Sequence, residues 1–258
     1  MPMLDRPCGR LSYSVIEPAE ATGALPLLLS HGYGATSAMF APNVPTLAIH
    51  REVVSWDLRG HGASDSPADP DCYQAASAIA DMAAILDERR IERAILGGHS
   101  LGGYLSLDFT LIHPDRVAGL VLIDTGPGYR NDQARGDWNR RAEATAARLA
   151  ERGVAGLGSS SELHADGHTD VNGLILAARH TLTQRDGHVM ERLAQISVPT
   201  LVVVGADDAP FLGAAEYMTR KLQKAREVVI PGAGHAPGID QPEEFNTQVL
   251  AFLEEIAP

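Results

Sequence analysis

The stretch that decides the fold reads Ala94-Ile95-Leu96-Gly97-Gly98-His99-Ser100-Leu101-Gly102. An apolar run comes first, a serine with glycines two positions before and after it follows, and a helical pattern then continues until Pro114 ends it. A strand, a sharp turn and a helix in this order are what a nucleophile elbow requires, because the glycines leave room beside a strained serine. The partial positive charge at the amino end of that helix favours a developing anion at Ser100. A tight turn around an ordinary serine is the alternative interpretation of the pentapeptide alone.

Short apolar runs alternate with helical patterns along most of the chain. This alternation is typical of a mostly parallel sheet with helices on both faces, whose ligand site forms beyond the carboxyl ends of the strands. The runs that we expect to be strands are 25–30, 52–56, 93–96, 117–123, 200–204 and 226–230. The helical patterns that flank them are 74–90, 101–113 and 242–256.

The alternation stops between Thr125 and about Ile196, where no strand-like run occurs. Helical patterns predict helices over 131–152, over 171–183 with Asp170 as the N-cap, and over 189–196. We therefore expect one α/β domain with a small inserted helical cap. The predicted ranges are 1–126 for the first part of the core, 127–195 for the cap and 196–258 for the second part of the core.

Composition and charge exclude several classes of partner. The chain has 258 residues and a formal net charge of −12, which argues against nucleic acid or an anionic membrane surface as a partner. No run is long and apolar enough for a membrane helix, and residues 1–10 lack the pattern of a secretory signal. A cytoplasmic location is the default expectation. The two cysteines, Cys8 and Cys72, lack metal-ligand spacing, and we expect free thiols rather than a disulfide.

Four more motifs stand at the ends of expected strands. They are His31-Gly32-Tyr33-Gly34, Asp57-Leu58-Arg59-Gly60-His61-Gly62-Ala63-Ser64, Gly205-Ala206-Asp207-Asp208 and Gly232-Ala233-Gly234-His235. Together with the elbow, and in this order, they resemble the α/β-hydrolase superfamily, in particular its lid-bearing serine esterase, lactonase and carbon-carbon hydrolase branch. The resemblance covers almost the whole chain and is weakest in the cap. It implies the α/β-hydrolase fold, a mostly parallel sheet flanked by helices with a helical cap.

The resemblance also implies a catalytic triad in the chain order serine, acid, histidine. Ser100 is then the nucleophile, His235 the general base and Asp208 the acid that orients the histidine. Asp207 becomes a loop residue or a helix cap. Asp124, at the end of an expected strand, is the alternative acid, because some members of the superfamily place their acid there.

An acyl-transfer mechanism also needs donors for the oxyanion, and the resemblance implies the backbone N–H groups of Tyr33 and Leu101. The Tyr33 side chain either lines the substrate pocket or packs. The segment 57–64 is interpreted as structural, although it carries charged residues and a histidine. The histidines lack the spacing of a metal site, and no cofactor is implied.

The type of nucleophile narrows the reaction. A serine at the elbow disfavours the epoxide hydrolases and haloalkane dehalogenases, which use an aspartate there, and favours an acyl-enzyme formed from a small carboxylic ester or lactone. Carbon-carbon bond hydrolysis of ring-cleavage products is the alternative within enzymes, but those enzymes tend to have asparagine where this chain has His99. A ligand-binding receptor on the same fold is the alternative from another class.

The sequence leaves the substrate and the oligomeric state open. Six apolar cap residues either face the pocket or dock the cap on the core: Trp138, Leu157, Leu163, Leu174, Ile175 and Leu176. Five arginines either attract a carboxylated small molecule or form a solvated helix face, which is the favoured interpretation. They are Arg130, Arg135, Arg140, Arg141 and Arg148.

Overall fold

A computed structural model describes residues 1–20, 22–164 and 167–256. In this part of the chain, eight strands form one sheet in the order β1-β2-β4-β3-β5-β6-β7-β8. The pairs β1/β2 and β2/β4 are antiparallel, and the pairs from β4 through β8 are parallel, so the prediction of a mostly parallel sheet is confirmed. Five residues fall within the predicted cap and core ranges but lie outside the described residues: Ala21, Ala165, Asp166, Ala257 and Pro258.

The six expected strands are present within a few residues of their predicted ends. Two strands at the amino end were not predicted, because a short polar hairpin lacks a strong apolar run. The strands are β1 (Met3–Arg6), β2 (Gly9–Ile16), β3 (Leu27–Ser30), β4 (Val53–Trp56), β5 (Ala94–His99), β6 (Val117–Ile123), β7 (Thr200–Gly205) and β8 (Ala225–Ile230).

Nine α-helices lie within the described residues. They are α1 (Val44–Leu47), α2 (Ala75–Glu88), α3 (Leu101–Ile112), α4 (Asp132–Arg152), α5 (Val171–His180), α6 (His188–Arg192), α7 (Ala209–Lys221), α8 (Pro237–Asp240) and α9 (Pro242–Glu255). The helices predicted over 74–90, 101–113 and 242–256 correspond to α2, α3 and α9. Helix α7 was not predicted, and it turns out to line the candidate site.

Buried apolar residues cover both faces of the sheet. On one face, alternate strand residues such as Leu28 and Leu96 pack against α2, α3 and α7. On the other face, their neighbours Leu27 and Ile95 pack against α1 and α9. Because both faces are covered, the parallel strands β3 to β7 are buried along their whole length and mostly apolar, whereas the edge strand β8 is only partly buried.

The segment between β6 and β7 contains helices and no strand among its described residues, as the lack of strand-like runs in this part of the sequence predicts. Helix α4 begins after Asn131, whose side chain accepts hydrogen bonds from two backbone N–H groups of the first turn. Helix α5 begins after Asp170, whose carboxylate accepts the Asn172 N–H, so the predicted N-cap is confirmed. The region predicted as a helix over 189–196 is α6 followed by a 3₁₀ turn, Leu193–Gln195.

The expectation of two free thiols is wrong. Cys8 and Cys72 form a disulfide with a Cα–Cα distance of 5.8 Å. Cys8 lies in the turn of the β1–β2 hairpin, and the hairpin carries it to the 3₁₀ helix Pro70–Tyr73. Because the hairpin itself was not predicted, this contact could not be foreseen. Disulfides are more typical of oxidising compartments than of the cytoplasm, so the cytoplasmic location stays a prediction.

Of the helices that the structure describes, none combines the length and the apolar character needed to span a bilayer.

Candidate active site

Ser100 lies at the sharp turn between β5 and α3. Its φ of 50° is in the left-handed region, a strained conformation that costs an L-residue about 1–3 kcal/mol. The chain packs tightly around this turn: a Cβ on Gly102 would lie 2.1 Å from the Ser30 carbonyl oxygen, and one on Gly98 would lie 2.3 Å from the Gly102 carbonyl oxygen. The glycines are therefore required by close backbone approach, and the turn presents Ser100 at the amino end of α3.

His235 and Asp208 are hydrogen-bonded. The distance from His235 Nδ1 to Asp208 Oδ2 is 2.7 Å, and Asp208 is only 7% exposed. Burial by itself raises the pKa of Asp208, but hydrogen bonds with His235 and Asp124 outweigh it, and the pKa is lowered. An ionised Asp208 selects the tautomer with the proton on Nδ1, which leaves Nε2 of His235 free to accept a proton.

His99 joins the serine turn to the loop that carries His235. Its Nε2 donates to the His235 carbonyl oxygen at 2.7 Å, and the two ring centroids are 4.8 Å apart. Burial lowers the pKa of His99 to about 3, so this ring is neutral. On its other side His99 lies against Gly32, where a Cβ would come within 3.2 Å of the Ser100 Cβ. The turn, the histidine loop and the 31–34 segment therefore meet around Ser100.

Asp124, the alternative acid, lies beside the Asp208–His235 pair without taking the histidine proton. Its Oδ1 accepts the Gly205 N–H at 2.9 Å, and the residue is 1% exposed. Ligand atoms of Asp124, Asp208 and His235 all lie within 4.8 Å of one another, and within the described part of the chain this is the one cluster whose geometry could hold a metal ion. The histidine is bonded to Asp208, so the arrangement favours Asp208 as the acid.

The two N–H groups expected to bind the oxyanion have no hydrogen-bond acceptor among residues 1–20, 22–164 and 167–256. Leu101 is the first residue of α3, where an N–H has no partner within the helix. The Tyr33 side chain packs rather than lining the cavity: its hydroxyl donates to the Leu174 carbonyl oxygen at 3.0 Å, and burial raises its pKa. The Tyr33 side chain therefore contacts α5.

A cavity of about 580 Å³ opens in front of Ser100. Its walls come from the elbow, from the segment after β6, from α4 and from α7. Sequence reasoning missed most of these residues, because their apolar patterns do not distinguish a pocket wall from a core. The lining residues are Ser100, Leu101, Tyr104, Thr125, Gly126, Pro127, Gly128, Tyr129, Trp138, Arg141, Leu182, Gln184, Met190, Pro210, Phe211, Gly213, Ala214 and Tyr217.

Of the six apolar cap residues left open by the sequence, Trp138 lines the cavity and donates its indole N–H to the Leu182 carbonyl oxygen at 2.8 Å. The other five pack inside the cap or against the core: Leu157, Leu163, Leu174, Ile175 and Leu176.

The segment 57–64 makes contacts that support the loops around the site. Asp57 accepts the backbone N–H of Ser37 at 2.7 Å and that of Ala63 at 3.0 Å. Arg59 makes two hydrogen bonds to the buried carboxylate of Asp81 on α2. These contacts agree with the structural interpretation of the segment.

The comparisons with known proteins agree with the fold. Residues 27–248 match the model of the alpha/beta hydrolase family, and the chain belongs to that family. It is 28% identical over 250 residues to 3-oxoadipate enol-lactonase 1 of Acinetobacter baylyi, with 89% of each chain covered. It is also 28% identical over 254 residues to the pimeloyl-[acyl-carrier protein] methyl ester esterase of Pectobacterium carotovorum, with 91% of this chain and 96% of the relative covered.

A similar solved structure is a thermophilic esterase from Thermogutta terrifontis. It superimposes with a TM-score of 0.80 at 27% identity and covers 97% of this chain and 95% of its own. The relatives are hydrolases of different substrates, so they support a hydrolase and leave the substrate to be argued from the site.

Proposed function

We propose that this protein is a serine hydrolase that cleaves a small carboxylic ester or lactone through an acyl-enzyme on Ser100. In this proposal His235 is the general base, Asp208 orients it, and the N–H groups of Tyr33 and Leu101 bind the oxyanion. The division into core 1–126, cap 127–195 and core 196–258 is part of the proposal, with the cap closing over the cavity.

The observation that carries the proposal is the 2.7 Å hydrogen bond between His235 and Asp208 beside a cavity that Ser100 lines. Phe211, on the cavity wall, packs its ring 4.9 Å from the His235 ring, so the histidine lies just behind that wall. A nucleophile, a base and an orienting acid in this relation are the parts that acyl transfer requires.

The reaction follows from these groups. Nε2 of His235 takes the Ser100 hydroxyl proton while Oγ attacks the ester carbonyl carbon, and the oxyanion that forms is held by the N–H groups of Tyr33 and Leu101. His235 then returns the proton to the leaving alkoxide oxygen, and the C–O bond breaks. His235 next takes a proton from water while the water oxygen attacks the acyl carbon, and it gives this proton to Ser100 Oγ as the bond between Oγ and the acyl carbon breaks, which releases the acid.

Steady-state hydrolysis of p-nitrophenyl acetate, butyrate and octanoate tests the proposal. We expect Ser100→Ala and Asp208→Asn each to lower kcat by about 10³–10⁴-fold or more, as for other enzymes with a triad. Asp207→Asn, at the adjacent position, is the matched control and should stay within about threefold of the wild type, because Asp207 has no role in the triad.

Two outcomes would redirect the interpretation. A folded wild type that neither turns over these esters nor reacts with a fluorophosphonate probe points to the receptor alternative. A wild type that reacts with the probe at Ser100 but leaves esters and lactones intact points to carbon-carbon hydrolysis.

A further inference from the structure

The cavity in front of Ser100 carries one formal charge on an otherwise neutral wall. Its aromatic and apolar lining includes Tyr104, Trp138 and Phe211, and among the described lining residues Arg141 is the sole ionised group. Arg141 is itself exposed, which puts it at the rim. Trp138 and Arg141 are three residues apart on α4, so both side chains reach the same face of the helix.

Three of the other four arginines of this region have partners within the described residues. Arg135 is paired with Asp132, Arg140 is paired with Asp137, and the Arg148 Nε donates to the Gly156 carbonyl oxygen at 2.7 Å. None of these side chains lines the cavity.

Within the described residues, Arg141 has no carboxylate partner, although the chain carries a net charge of −12. The sequence favoured a solvated helix face for all five arginines, and the structure separates Arg141 from the rest.

We propose that the physiological substrate carries a carboxylate remote from its scissile ester or lactone bond, and that Arg141 binds this carboxylate. The proposal rests on the proposed function. A guanidinium binds a carboxylate through two parallel hydrogen bonds, which also fixes the orientation of the bound carboxylate. One arginine supplies a single positive charge, which matches a carboxylate better than the larger charge of a phosphate monoester.

The test compares half-esters of dicarboxylic acids with neutral esters of the same length. Mono-p-nitrophenyl succinate, glutarate and adipate are paired with p-nitrophenyl butyrate, pentanoate and hexanoate, and kcat/KM is measured for each. At the best-fitting length we expect the charged ester to be favoured by about tenfold, which a charge-assisted pair can supply. In Arg141→Gln that ratio should fall to about one, and Arg141→Lys should keep part of it.

Arg140→Gln is the matched control, since it removes a neighbouring arginine on the same helix that is paired with Asp137. It should preserve the charged-to-neutral ratio. Equal turnover of charged and neutral esters by the wild type, or an unchanged ratio in Arg141→Gln, would overturn the inference. Ser100-dependent turnover of the neutral esters reports separately on the proposed function, so the two failures can be told apart.

A second inference comes from the buried carboxyl group of Asp124. Its Oδ1 accepts the Gly205 N–H, while its Oδ2 has no donor among the described residues. The carboxyl group lies beside that of Asp208, because ligand atoms of Asp124, Asp208 and His235 are all within 4.8 Å of one another. Two neighbouring carboxyl groups can share a hydrogen bond only if one of them is protonated. Asp208 accepts the hydrogen bond from His235 Nδ1–H and is the group that must be ionised.

We infer that Asp124 keeps its proton at neutral pH and donates it to Asp208, which makes Asp124 a positioning residue for the acid. Burial, together with the nearby charges of Asp208 and Asp240, raises the pKa of Asp124 to about 9, against the opposing hydrogen bond from Gly205. The added donor stabilises the ionised form of Asp208 and directs its second oxygen at His235.

An asparagine at position 124 can still donate a hydrogen bond to Asp208 but cannot ionise. Variants of Asp124 therefore distinguish a hydrogen-bonding role from simple packing. Asp124→Asn should lose less than about tenfold in kcat, and Asp124→Ala should lose more, with KM little changed, because a buried acceptor is left unsatisfied. In the wild type, kcat/KM corrected for the uncatalysed rate should fall as pH rises through about 9, because Asp124 ionises there. The pH profile of Asp124→Asn should lack this decrease.

Infrared spectroscopy provides a readout independent of activity. The wild type at neutral pH should show a protonated-carboxyl stretch that is absent from Asp124→Asn. No such band, or a loss in Asp124→Asn as large as that in Asp208→Asn, would refute the inference.

Discussion

Replacing Asp81 by asparagine tests the interpretation of the 57–64 segment as a support for the site. Asp81 lies on α2 with its side chain 0% exposed, and Arg59 of the segment is 8% exposed. Its carboxylate accepts Arg59 Nε at 2.6 Å and Arg59 Nη2 at 2.8 Å, with a third hydrogen bond from Arg6 Nε at 3.0 Å. Asparagine has nearly the same shape but no charge, so the Arg59 guanidinium is left buried without a counterion.

The magnitude follows from that burial. Removing one partner of a buried ion pair costs about 3–5 kcal/mol, because the remaining charge has lost its solvation as well as its partner. For a chain of this size that corresponds to a decrease of about 6–20 °C in Tm, at about 2–4 °C per kcal/mol. Asp87, on the same helix, pairs with Arg116 at the surface and is 67% exposed, so Asp87→Asn should cost less than about 1 kcal/mol.

The assay is equilibrium unfolding in urea followed by tryptophan fluorescence, since Trp56 is fully buried. At a urea concentration where both proteins are folded, Asp81→Asn should keep the specific activity of the wild type within about threefold, because Arg59 supports a loop and takes no part in the chemistry. A loss of stability no larger than that of Asp87→Asn would refute the energetic argument. A large loss of activity in folded Asp81→Asn would refute the structural interpretation of the segment.

Two further outcomes concern His188 and the disulfide. The His188 ring contacts Asp108 at 2.8 Å and Asp186 at 2.6 Å; burial lowers its pKa, but the two carboxylates outweigh burial and raise it above 6.5. Its contribution to stability is therefore present below pH 6.5 and lost as pH rises through the raised pKa, and it is also lost in acid as Asp186 becomes protonated. The Tm difference between wild type and His188→Gln should be largest at about pH 4–6.5, and a constant difference from pH 4 to 9 would contradict this. Replacing Cys8 and Cys72 together by serine should lower the free energy of unfolding by up to about 4 kcal/mol, from the 64-residue separation that the bond closes, and urea unfolding showing no change would contradict it.

The sequence alone was informative wherever the signal was local. The apolar run, the glycines and the helical pattern around Ser100 lie within 20 residues, and the structure has the strand, turn and helix there. The N-caps of α4 and α5 are likewise determined by residues next to each other in the chain. Because both faces of the sheet are covered by helices, polar motifs occur mainly where the strands end. The sequence could therefore also indicate the edge of the sheet at which the site lies.

The tertiary structure decided what depends on distant segments meeting. Asp208 and Asp124 both follow strands, so the sequence could not decide between them as the acid. His235, 27 residues beyond Asp208, is hydrogen-bonded to Asp208, and this contact distinguishes the two aspartates. The rotation of α4 about its axis determines which partner each of its arginines has and which arginine lies at the cavity. The disulfide joins residues 64 positions apart through a hairpin with little local signal. In each case the sequence determines which groups are available, and only the packing of distant elements determines which of them touch.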